Sequence, residues 1–84
     1  MAYLGQIVKM MNDYLEEHEE DATRVNIPKN ILNKLMLEFD GPMKAKVCEL
    51  GWKALGNPPM LFGMFVHRGG AEIKVERHED DLNT

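Results

Sequence analysis

The stretch Val47-Cys48-Glu49-Leu50-Gly51-Trp52-Lys53 decides how this chain is read. It reads as a helix, within a segment spanning about 42–55, that finishes in a Leu-Gly-Trp corner. Gly56-Asn57-Pro58-Pro59 then ends that segment. Two strands follow, Met60 to His67 and Ala71 to Arg77, with Arg68-Gly69-Gly70-Ala71 as the hairpin turn between them. Paired glycines suit a turn that needs positive φ. In the second strand Ile73 and Val75 alternate with Glu72, Lys74 and Glu76, so one face is apolar. The first is more continuously apolar, as expected of a strand covered on both faces, with Gly63 marking a bulge or close packing.

Upstream, Leu4, Ile7, Val8, Met11 and Leu15 recur at helical spacing, with Met10 and Tyr14 beside them, and predict a helix over 3–18. The acidic run from Glu16 to Asp21, broken only by His18, opposes the macrodipole and should fray the end of that helix. Thr23 to Ile27 alternates and is β-branched, a short strand that Pro28 stops. Ile31, Leu32, Leu35, Met36 and Phe39 then line one side of a second helix. Asp40-Gly41-Pro42 separates it from the third by a tight turn. On the third helix Met43, Val47, Leu50 and Ala54 form one apolar side, and Ala45, Cys48 and Trp52 the adjoining one. Cys48 is expected to be a buried, inert thiol, and Trp52 a core plug. The methionines are expected to fill gaps in a small core.

The expected fold class is therefore α+β, one domain over 1–84 with a core at 4–77 and an acidic tail at 78–84. The element order is helix, strand, helix, helix, strand, strand, over a small three-stranded antiparallel sheet. That order, with the Leu50-Gly51-Trp52-Lys53 corner and the turn through Arg68-Gly69-Gly70 into Ile73-Lys74-Val75-Glu76-Arg77, resembles small winged-helix modules of phage and mobile-element proteins. The resemblance implies that 42–55 is a recognition helix and 67–71 a wing tip. It implies nucleic-acid contacts from Lys44, Lys46 and Lys53 on the helix, and from His67, Arg68 and Lys74 on or near the wing. It also implies a non-enzymatic accessory role, as a regulator or replication helper.

Charge supports two partner classes. Net charge is −4, yet residues 42–77 alone sum to +3, between an acidic front (1–41, −4) and an acidic tail (78–84, −3). A basic segment between acidic ones suits an acidic partner with nonspecific binding held down. The third helix carries no Arg, Asn or Gln for bidentate base reading. The alternative is accordingly a protein-interaction module, such as a host-directed inhibitor or an assembly adaptor. Pairing of two copies through the 3–18 helix is the candidate homodimer.

Enzyme chemistry finds no support. The carboxylates cluster in solvated runs, no Gly-rich phosphate loop is present, and no cofactor motif appears. His18, His67 and His78 have no ligand spacing, and one cysteine makes neither a zinc site nor an internal disulfide. No apolar run approaches the roughly 20 residues of a membrane span. With no signal-peptide pattern at Met1-Ala2-Tyr3-Leu4, the expected location is cytoplasmic.

Overall fold

The structure, a computed structural model, describes residues 2–83. Helix α1 (Ala2–His18) presents Tyr3, Ile7, Met10, Met11 and Tyr14 to the core, with Ile7 fully buried. Leu15, expected on that face, is turned half to solvent. The helix ends within the acidic run, at His18: Glu19 adopts φ 57° and donates its N–H to the Leu15 carbonyl at 2.8 Å.

The start of α1 is satisfied from a distance. Glu38 lies 34 or more residues downstream, and its carboxylate accepts the N–H groups of Tyr3 and Leu4 at 2.9–3.1 Å. These are among the donors that a helix N-terminus leaves without intrahelical partners. The Leu4 N–H, then that of Tyr3, holds the Glu38 carboxyl below the usual carboxylate range, against an opposing desolvation. A carboxyl lowered on folding stabilises above its unfolded pKa, about 4.3. That stabilisation is lost as pH falls through the folded value. Glu38→Gln is therefore expected to lower the melting temperature at pH 7, with the difference from wild type shrinking by about pH 3. Thermal melts at the two pH values check this.

Strand β1 (Arg24–Ile27) buries Val25 and Ile27 completely. Pro28 caps α2 (Lys29–Met36), which buries Leu32 and Leu35 beneath the sheet, as its spacing predicts. Gly41, at φ 60°, opens α3 (Gly41–Leu50). The expected helix over 42–55 is not continuous. Gly51 takes φ 61° and breaks it, so Gly51–Leu55 forms a separate 3-10 turn.

The expectations for the third helix's packing are also corrected. Only Val47 of α3 is buried; Leu50 and Met43 are substantially exposed, and Cys48 is exposed rather than an inert core thiol. Of the apolar side expected at Met43, Val47, Leu50 and Ala54, only Val47 is buried, and of the adjoining side Cys48 and Ala45 are exposed.

The sheet departs most from expectation. It has four strands, in the order β2 (Met60–Leu61), β3 (Met64–Arg68), β1, β4 (Lys74–Glu76). It is mixed: β1 runs parallel to β3 and antiparallel to β4, and β2 is antiparallel to β3. Phe62 (φ 52°) and Gly63 (φ 82°) turn the expected single strand 60–67 into a two-residue hairpin, the positive-φ pattern of a type I′ turn. The segment Arg68-Gly69-Gly70-Ala71 is not a hairpin turn, because β1 lies between the two strands it joins. It arches over the end of β1, where the Gly69 N–H bonds the Ile27 carbonyl at 2.9 Å.

Helices α1 and α2 contact each other, and both contribute to the core formed on one face of the sheet by Val25, Ile27, Leu61, Met64 and Val66. Side chains alternate across a strand, so Arg24 and Asn26 of β1, Phe65 and His67 of β3, and Lys74 and Glu76 of β4 share the opposite face.

Candidate functional site

The parallel pairing of β1 with β3 has an electrostatic consequence. Both strands end at the same edge of the molecule, and the antiparallel β4 begins there. His67 and Arg68 close β3, Lys74 opens β4, and all three are exposed. His67, Asn26 and Lys74 form one row across the sheet. Arg68, in register with Ile27 and so on the other face, places its guanidinium 4.9 Å from the Trp52 ring centroid. Such a cation–π contact holds the guanidinium in place without neutralising it. Trp52 is half-buried against the core, as a plug, but it is also a platform for this cation.

The opposite edge of the sheet gathers the acids. Arg77 pairs with Glu20 at 3.4 Å and Glu79 at 3.1 Å, and bonds the Asp21 carbonyl. The tail is not an extended acidic strand: Glu79–Asn83 forms a 3-10 turn against the start of β1. There Asp81 accepts two bonds from Arg24 and a third from the Thr23 hydroxyl. The Arg24 guanidinium, then the Thr23 hydroxyl, holds the Asp81 carboxyl below its ordinary range. Glu76 is lowered chiefly by its bond to His78, and also receives the Asn26 amide. The charge asymmetry of the sequence thus becomes a spatial one, with β1 running from an acidic end to a basic one.

The six positions singled out by the sequence separate on this frame. Lys53, His67, Arg68 and Lys74 lie at or next to the basic end. Lys44 and Lys46 are on α3, fully in solvent, with the Lys44 ammonium 3.5 Å from the Leu37 carbonyl. Among the described residues none of the six forms an ion pair, whereas Arg24 and Arg77 are both committed to carboxylates. Two shallow depressions flank the basic end. One, of about 390 Å³, lies between Asn26, Gly69, Gly70 and Lys74, with Glu72 and Glu76 on its rim. The other, of about 450 Å³, lies between Trp52, Lys53, Asn57 and Pro59.

Sequence reading missed Phe65, Arg24 and Asn26 as surface residues. The first apolar strand was expected to be covered on both faces, yet Phe65 is only half-buried and His67 is exposed. The signal available was the alternation of Met64 and Val66 with Phe65 and His67, which a single 60–67 strand obscured. Among the described residues no group of three or more His, Cys, Asp or Glu side chains could hold a metal ion, and no helix is long and apolar enough to cross a membrane. Comparison with protein families, curated proteins and solved structures finds no match to this chain.

Proposed function

We propose that this protein is a small, non-enzymatic nucleic-acid-binding accessory protein, a regulator or replication helper of the phage or mobile-element kind. The observation that carries the reading is the set of unpaired cations at the end of β1, with Arg68 stacked on Trp52. Phosphates are the ligands that such a set attracts, and the acidic opposite end orients the approach. Lys53, His67, Arg68 and Lys74 form the centre of the interface, and Lys44 and Lys46 extend it along α3. The winged-helix resemblance rests on the element order and the Leu50-Gly51-Trp52-Lys53 corner alone, since β1 lies between β3 and β4 and the wing hairpin expected at 67–71 is not formed. The reading is tested by titrating a labelled oligonucleotide with wild type and with a variant carrying Arg68→Glu and Lys74→Glu. A variant carrying Lys9→Glu and Lys34→Glu supplies the same net charge elsewhere. Loss of binding in the first alone is the expected outcome; equal binding by all three sinks the site.

A second reading is favoured by one observation. Leu37, Met43 and Leu50, on and beside α3, are 37–67% exposed, an apolar surface suited to a protein partner. Binding through it would survive reversal of Arg68 and Lys74.

A further inference from the structure

We infer that the nucleic acid this protein takes is single-stranded, and that its bases lie on the open face of the sheet against Phe65 and His67. The inference rests on the nucleic-acid reading above and adds the form of the ligand and the groups that receive the bases.

Two observations favour a single strand over a duplex. Helix α3 has no Arg, Asn or Gln along Gly41–Leu50, so Lys44, Lys46 and Glu49 are its only side chains of the kinds that hydrogen-bond base edges. His67 and Lys74 lie instead on the outer face of the sheet, which also carries Phe65. Aromatic rings on a sheet face reach only bases that have left the duplex stack.

The face itself fits such bases. Phe65 and His67 are two residues apart on β3 and point the same way, roughly 6.8 Å apart along the strand. This is about twice the 3.4 Å rise between stacked bases, so the two rings suit bases held apart rather than stacked on each other. Phe65, in register with Arg24 at the acidic end of β1, borders an open depression of about 540 Å³ whose apolar wall includes Met60 and Leu82 and whose polar wall includes Asp21, Thr23, Arg77 and Asp81. Met60 and Leu82 are 40% and 55% exposed, so a base placed there covers apolar surface that is otherwise in water. From Phe65 the strand leads to His67, with Lys74 across the same row, so a phosphate beside the second base meets Lys74, while Arg68, in register with Ile27, lies at the strand end on the other face. Glu76, also on this face, accepts from the Asn26 amide and is bonded to His78, which hold it as a carboxylate beside Lys74.

The test uses the intact chain and a 20-nucleotide labelled strand of mixed sequence, alone or annealed to its complement, at about 50 mM salt, where phosphate contacts are strong. Wild type is expected to bind the single strand at least about tenfold more tightly than the duplex. Phe65→Leu keeps an apolar side chain but removes the ring, and is expected to weaken single-strand binding about five- to a hundredfold, the range of one lost base stack. His67→Ala, at an exposed position, gives a second variant independent of core packing. Circular-dichroism melts of both confirm folding. Duplex binding as tight as single-strand binding would overturn the inference while leaving the nucleic-acid reading intact. So would affinities of both variants within about twofold of wild type, well inside the effect of one lost stack. Binding of neither form would overturn both.

Discussion

Reversing Arg68 and Lys74 together is expected to lower oligonucleotide affinity by about two powers of ten at 50 mM salt. The magnitude follows from counterion release. Each phosphate contact contributes a little under one unit to the slope of log affinity against log salt, and most at low salt. Two lost contacts, carried from 1 M to 0.05 M salt, therefore remove roughly a hundredfold. The glutamates that replace them add repulsion. On a single strand, at about 0.7 unit per contact, the slope itself should become shallower by about 1.4 units. Both residues are exposed, and Arg68's recorded partner is the Trp52 ring, so the fold should withstand the change.

Leu35→Ala is expected to have the largest effect on stability, about 2–5 kcal/mol. Leu35 is completely buried, on the side of α2 that meets the sheet. At about 0.05–0.15 kcal/mol per residue, a chain of 84 residues has on the order of 4–13 kcal/mol in total. One such cavity removes a large part of that, and the melting temperature should fall by at least about 8 °C. Leu37, two residues on, is 67% exposed, and Leu37→Ala should change stability by no more than about 0.5 kcal/mol. Thermal melts of the pair test the burial of one helix face directly. Equal effects would contradict the packing of α2.

Where a local pattern determined an element, that element was legible in the sequence. The alternation at Thr23 to Ile27, the Pro28 boundary and the Leu32–Leu35 spacing all led to the observed β1 and α2. Strand pairing was not legible, because the contact of β1 with β3 is parallel and joins segments about 40 residues apart. No local signal encodes such a pairing. The turn signals also misled: Gly69-Gly70 carries the stronger hairpin signature, yet the tight turn falls at Phe62-Gly63, where a phenylalanine occupies a positive-φ position. Once that hairpin is placed, β3 is shortened, its outer face opens, and Phe65 and His67 come to the surface. The cations of the candidate site were legible as a basic segment. Their division between α3 and the sheet end was legible too, except for Lys53, which Gly51 separates from α3 by breaking the helix.

The central claim is that unpaired cations at one end of the sheet bind phosphates, and salt dependence tests it most directly. Affinity for a single-stranded oligonucleotide should be measured across about 50 to 200 mM salt, the range over which phosphate binding weakens steeply. Four to five phosphate contacts on a single strand predict a slope near −3, so affinity should drop about fifty- to a hundredfold over that range. No binding at 50 mM, or an affinity that stays constant within about twofold, would contradict the account.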